Sequence, residues 1–172
     1  MNANVDILLV EDNQDDIDLA LHALRQGKLA NNIFTVRDGE EALDFLFCRG
    51  AYAGRSFSQP PKLVLLDLKM PKVDGLQVLK QVKSDPRTKV IPVVIMTSSK
   101  EERDLIESYN SGVNSFIQKP VDFEQFRTTV QTLGMYWLLV NQSPPNPEAS
   151  LTAAAKPELV KSGMAKSEVA KS

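Results

Sequence analysis

The chain has little of what staples, ligates or relays. Cys48 is its one cysteine in 172 residues. No internal disulfide is possible, and a reducing setting fits. Cys48 lies in a stretch that reads as a packed helix, which argues against a catalytic or redox thiol. His22 is the one histidine. It stands between Leu21 and Ala23 without a metal-ligand pattern, so it reads as a surface or core-edge residue and not as a relay point. Positive charge is not in excess. The formal net charge is -2, and nothing argues for a nucleic-acid-binding surface. No apolar run approaches the roughly 20 residues needed to span a bilayer. The opening Met1-Asn2-Ala3-Asn4 carries neither the basic segment nor the apolar stretch of a signal peptide. The expectation is a cytoplasmic protein with no membrane insertion and no direct contact with nucleic acid.

What is present is enough apolar residue, 42% of the chain, for one ordinary core. The clearest stretch is Leu63-Val64-Leu65-Leu66, with the length of a buried strand, ending on the carboxylate of Asp67. Pro71 and Gly75 force a loop after it, and Leu76, Leu79 and Val82 then mark one stripe of a helix that stops near Asp85-Pro86. Four more strands are predicted: Val5 to Val10, Ile33 to Val36, Val90 to Met96 and Val113 to Ile117. Helices lie between them. Asn13 caps the first, with Asp15 and Asp16 suited to its positive end and Gly27 marking its close. Asp38 with Glu41 opens the second in a capping box, and Ser98 with Glu101, or Ser99 with Glu102, makes another before the fourth. Leu105, Ile106 and Tyr109 lie along that fourth helix. Asp122 caps a fifth, with Phe123, Phe126, Val130 and Leu133 inward. Gly50 to Pro61 is a long loop that reads as a tolerated surface insertion.

Strands alternating with helices imply α/β architecture: a doubly wound, five-stranded parallel sheet in the flavodoxin-like order 2-1-3-4-5. Residues 1-140 form this domain, with an extended fifth helix. Residues 141-172 hold Pro144, Pro145 and Pro147 and then Ala, Lys, Ser and Glu, and read as a linker and a mostly disordered tail.

Four of the five strands end on residues that can do chemistry: Glu11 and Asp12, Asp67, Thr97, and Lys119. A parallel sheet puts these ends on one rim, and the order 2-1-3-4-5 sets Glu11, Asp12 and Asp67 together at the switch point. Three carboxylates in one place call for a cation. All-oxygen ligands suit Mg²⁺. Asp67 can then attack a phosphoryl donor as nucleophile, while Lys119 and Thr97 meet the phosphoryl oxygens.

The set Glu11-Asp12, Asp67, Met70-Pro71-x-x-Asp74-Gly75, Thr97 and Lys119-Pro120 resembles the receiver domain of two-component response regulators, over residues 5 to about 133. The resemblance implies that Asp67 accepts phosphate from a sensor histidine kinase. It implies that Asp12, Asp67 and the backbone carbonyl of Lys69 bind Mg²⁺, with Glu11 acting through water, and that Thr97 and Phe116 are the switch pair. Beyond phosphoryl acceptance and hydrolysis of its own aspartyl phosphate, no enzymatic activity is implied. Position 116 is Phe where many receivers have Tyr, so it offers no hydroxyl. Lys69 adds a second cation near the site, either reaching Asp12 or Glu11 or simply solvated.

The long loop before Pro61, the ending Tyr136-Trp137-Leu138 and the absence of an output domain are similar to phytochrome-associated response regulators. That implies a phytochrome-type photoreceptor kinase as partner. Met135 to Val140 is apolar at every position, more than one helix face can bury. A two-fold homodimer through Tyr136, Trp137 and Leu138 is therefore expected. A flavin carrier of the same fold is excluded, because Glu11 to Asp16 would repel a flavin phosphate. An aspartyl phosphatase would want a carboxylate where Lys69 stands. The competing reading is a phosphorylation-independent receiver-like binding module. Such a module is expected to have lost part of the acidic pair, Asp67 or Lys119, and none is lost here.

Overall fold

Four apolar residues in succession make β1 (Ile7–Val10) and β3 (Leu63–Leu66), each buried at every position. This is the pattern of a parallel strand covered on both faces. In the computed structural model, which describes residues 5–26, 32–120 and 122–142, they sit at the centre of one sheet. β2 (Ile33–Val36), β4 (Val93–Thr97) and β5 (Ser115–Gln118) complete it, all parallel, in the order β2-β1-β3-β4-β5. The helices are α1 (Gln14–Gln26), α2 (Gly39–Leu46), α3 (Gly75–Ser84), α4 (Glu102–Asn110) and α5 (Phe123–Met135). Residues 7 to 10 of β1 pair with 33 to 36 on one side and 63 to 66 on the other. That register brings the carboxyl ends of β1 and β3 level, as the topology requires of a site at the switch point.

The core has two halves. Leu8, Val10, Phe45, Val64, Leu66, Leu79 and Ile95 fill one face of the sheet, with α2 and α3. Ile7, Leu9, Leu24, Leu63, Leu65, Val94, Phe126 and Val130 fill the other, with α1 and α5. Alternate residues of each central strand go to opposite sides.

Strand bounds differ from expectation for local reasons. β1 starts at Ile7, while Val5 stays buried before it. β4 starts at Val93 and not Val90, since Pro92 has no N–H to give to a ladder. Its carbonyl accepts from Val64 N at 2.9 Å instead. β5 starts at Ser115 and not Val113. The Asn114 side chain takes the Val93 N–H at 2.8 Å, and its backbone N–H goes to Val93 O at 2.9 Å.

Three caps form as read: Asn13 Oδ1 accepts from Asp15 N and Asp16 N, Asp38 from Glu41 N and Asp122 from Gln125 N. The capping box before α4 does not. Glu101 occupies the cap without a side-chain bond, and Ser99 Oγ donates to Asp104 Oδ2 at 2.6 Å while accepting from Glu101 N at 3.4 Å, not from the Glu102 amide. Leu105, Ile106 and Tyr109 of α4 face solvent, and Asp104 and Ser108 are the residues turned inward. Phe123 is also exposed rather than inward, at the first turn of α5 beside its cap.

The fifth helix is extended as expected, but its last turn, Tyr136–Val140, is a π-helix, closed by Asn141 N on Tyr136 O at 2.7 Å. Gly134, Trp137 and Leu138 follow the inward stripe at helical spacing, while Tyr136, Leu139 and Val140 face out. The expected helix end at Gly27 and the tail from residue 143 onward lie outside the described residues. The long loop after α2 is not a loose insertion. It opens with a 3-10 turn, Gly50–Tyr52, and the Tyr52 hydroxyl donates to Glu41 Oε1 at 2.6 Å. The Tyr52 ring meets Phe34 and Phe45 edge-on, and the Arg55 guanidinium stacks 3.7 Å above Phe45. Among the described residues, no helix is long and apolar enough to cross a membrane.

Candidate functional site

Each strand delivers its terminal residue to the same rim. Glu11 follows β1, with its amide bonded to Val36 O at 3.1 Å, and Asp67 follows β3, with its amide on Val10 O at 3.0 Å. Their carboxylates are buried, at 4% and 6% exposure, while Asp12 beside them is exposed. One oxygen from each of Glu11, Asp12 and Asp67 lies within 4.8 Å of the others. Burial pushes the carboxyls of both Glu11 and Asp67 above their ordinary values, and each also feels a neighbouring carboxylate, Asp67 for Glu11 and Asp12 for Asp67.

Lys119, the residue after β5, reaches across the rim. Its ammonium donates to Glu11 Oε2 at 2.6 Å and to Asp16 Oδ2 at 2.8 Å, and stands 3.8 Å from Asp67 Oδ1. Its side chain is only 9% exposed. The surrounding carboxylates hold its proton more tightly than usual, against the desolvation that opposes it. Asp16 is the residue that sequence reasoning missed. A carboxylate in the first turn of a helix looks like a response to the helix dipole. Its one legible signal is spacing: Asp16 lies one turn after Asp12, so a first turn starting at Gln14 aims it back at the rim.

Thr97 ends β4 fully buried, and its hydroxyl together with the Leu68 amide favours the ionised form of Asp67. Thr97 O accepts from Lys119 N at 2.7 Å, which ties the ends of β4 and β5. Gly75 is required just behind the site. A Cβ there would stand 2.2 Å from Asp67 O and 2.8 Å from Leu68 Cα. Lys69 does not reach Asp12 or Glu11 and stays on the solvent side, the second of its expected placements, though not without partners. Its ammonium is half exposed and pairs with Asp104 Oδ2 at 3.3 Å and Glu101 Oε1 at 3.6 Å, not with Asp12 or Glu11. Phe116 is half-buried on β5 against the α2–α3 half of the core, paired across the ladder with Ile95. Of the expected dimer residues, Tyr136 is 51% exposed, whereas Trp137 and Leu138 pack against the chain's own α1–α5 core. Trp137 is half-buried, so part of its ring is already used within its own chain.

The donor set fits a hard divalent cation. It is all oxygen, it carries three carboxylates, and one of its atoms is short of a partner: Asp67 Oδ1 is buried with no hydrogen bond.

Comparison with known proteins agrees with this geometry. A family model described as the response regulator receiver domain matches residues 7–131. A probable methanogenesis regulatory protein, FilR2 of Methanothrix harundinacea, is 44% identical over 138 residues, covering 80% of this chain and 86% of that protein. Response regulator Rcp1 of Synechocystis sp. is 39% identical over 132 residues, covering 77% of this chain and 88% of Rcp1. Its Mn²⁺-bound crystal structure superposes with a TM-score of 0.75 at 37% identity, covering 80% of this chain and 97% of that one. The phosphorylated cyanobacterial phytochrome response regulator RcpA superposes with a TM-score of 0.76 at 42% identity, covering 83% of this chain and 99% of that one.

Proposed function

The chain belongs to the response regulator receiver family, and on that footing we propose that it is a phosphoryl-accepting switch in a two-component relay. Asp67 is the acceptor. The observation that carries this reading is the buried Asp67 Oδ1, without a hydrogen bond, standing between two acidic residues and the Lys119 ammonium. In the transfer, an Asp67 oxygen forms the new bond to phosphorus as the phosphorus–nitrogen bond of a kinase phosphohistidine breaks, and the histidine nitrogen keeps the electron pair. Lys119 and the Thr97 hydroxyl meet the charge on the phosphoryl oxygens. Asp12, Asp67 and the Lys69 backbone carbonyl would hold a Mg²⁺ ion, with Glu11 acting through water. Such an ion, when bound, neutralises carboxylate and phosphoryl charge together. No other enzymatic activity is proposed.

The partner we propose is a sensor histidine kinase of the phytochrome type. RcpA is a phytochrome response regulator by its own description, and the match runs along nearly the whole of it. The output is a rearrangement of the face made by α4, β5 and α5. An added phosphoryl group brings about -1.5 to -2 of charge beside Thr97, and Phe116 lies on the strand next to it. We also place a homodimer at the end of the fifth helix, where Met135, Tyr136, Leu139 and Val140 are exposed in one apolar run. The test is phosphotransfer from a panel of purified phosphorylated histidine kinases that includes photoreceptor kinases. Transfer is expected from a phytochrome-type kinase and from few others. No uptake from any kinase, nor from acetyl phosphate, would leave the binding-module reading in its place.

A further inference from the structure

Among the described residues three carboxylates are buried: Glu11, Asp67 and, outside the acidic cluster, Asp104. Asp104 lies in the first turn of α4 at 3% exposure. One of its oxygens, Oδ2, takes both the Ser99 hydroxyl at 2.6 Å and the Lys69 ammonium at 3.3 Å. Each of these partners comes from the rim. Ser99 is two residues past Thr97, and its amide donates to Thr97 Oγ1 at 3.2 Å. Lys69 is two residues past Asp67. A buried carboxylate is costly to leave unpaired, so Asp104 has strong reason to keep both.

Lys69 is a compact charge on a flexible stem. It leaves the chain beside three carboxylates that together favour any cation within reach. The geometry points to Asp104 as a positioning residue for that site. By holding the Lys69 ammonium on α4, Asp104 keeps it from occupying the acidic cluster in place of a divalent ion. Through Ser99 the same carboxylate also steadies the loop that carries Thr97. Glu101, half exposed at 3.6 Å from Lys69, is a weaker second holder. This role rests on the reading of Glu11, Asp12 and Asp67 as a metal site.

The test is a Mg²⁺ titration, by calorimetry or backbone NMR, of the parent chain, Asp104→Asn, Lys69→Gln and the double variant. Asp104→Asn should weaken Mg²⁺ binding by about thirtyfold if the released ammonium comes near 4 Å from the ion, the effect in water of one unit charge on a divalent one. Lys69→Gln alone should tighten it. In the double variant, affinity should return to the parent value or exceed it, because the competing ammonium is gone. Rescue separates positioning from simple damage. A double variant as weak as Asp104→Asn would make Asp104 only a structural residue and overturn the proposal. So would an Asp104→Asn chain that binds Mg²⁺ as the parent does. A parent that binds no Mg²⁺ would overturn the metal-site reading itself and this role with it.

Discussion

Lys119 donates to Glu11 at 2.6 Å and to Asp16 at 2.8 Å but stands 3.8 Å from Asp67, so the ammonium is held more closely by the acids that flank Asp67 than by Asp67 itself. The Asp67 oxygen facing it is left without a hydrogen bond. A cation placed this way compensates the charge of the site while leaving Asp67 Oδ1 without a hydrogen bond.

Asp67→Asn should take up no phosphate. Intact-mass spectrometry after incubation with acetyl phosphate and Mg²⁺ checks it. Uptake at the parent level would remove Asp67 from the acceptor role.

Lys119→Ala removes the shared partner of Glu11 and Asp16, one of them buried. Loss of one member of a buried ion pair costs about 3 kcal/mol or more. Urea unfolding in EDTA should show that loss. Added Mg²⁺ should recover part of it by supplying positive charge to the same carboxylates.

Gly75→Ala should cost about 2 kcal/mol or more, because the clash is with backbone and cannot be relieved by a side chain turning away. It should also shift the NMR signals of Asp67 and Leu68. A neutral substitution would mean that the turn behind Asp67 is more yielding than its contacts indicate.

Lys83 offers a pH test at the far end of the sheet. Its ammonium donates to Lys89 O at 3.2 Å, Ile91 O at 2.8 Å and Asn114 Oδ1 at 2.9 Å, all neutral acceptors. Burial pulls its pKa down from 10.5 to about 8. The unfolded chain then binds more protons than the folded one between these values. Stability contributed by this group should therefore rise as pH climbs through that window, by at most about 1.4 kcal/mol per pH unit. Urea unfolding of the parent against Lys83→Met isolates it. A flat difference across the window would show that the three acceptors hold the proton against burial.

At the end of the fifth helix, outward and inward residues should separate by experiment. Leu139→Lys and Tyr136→Ala should shift the dimer equilibrium toward monomer in sedimentation velocity, with little change in melting temperature. Trp137→Ala should instead lower the melting temperature, because its ring packs on the chain's own core. A parent that sediments as a monomer at tens of micromolar would remove the dimer.

The sheet order and the convergence of Glu11, Asp12, Asp67, Thr97 and Lys119 were legible because a parallel sheet puts every strand end on one rim. Hydrophobic runs located β1 and β3 closely. Strand starts were less legible, since Pro92 and Asn114 decide them through single hydrogen bonds that hydrophobicity does not register. Asp16 and Asp104 were hidden for a shared reason. Each is an acid in the first turn of a helix, where the dipole explains it without reference to the site. Lys69 was ambiguous for a related cause: its partner lies about 35 residues away in the chain, a distance that no local pattern spans.

The fastened loop after α2 bears on a different hazard. β2 is an edge strand, half exposed along most of its length. An open edge is a template on which a stray strand can pair and seed aggregation. The aromatic wedge of Phe34, Phe45 and Tyr52, clamped by Glu41 beneath and Arg55 above, puts a bulky lip beside that edge. The start of the insertion is thus tied by ring contacts to the edge strand itself, through Phe34, and to α2, through Phe45 and Glu41, so the outermost strand is fastened to the α2–α3 half of the core by more than its own ladder.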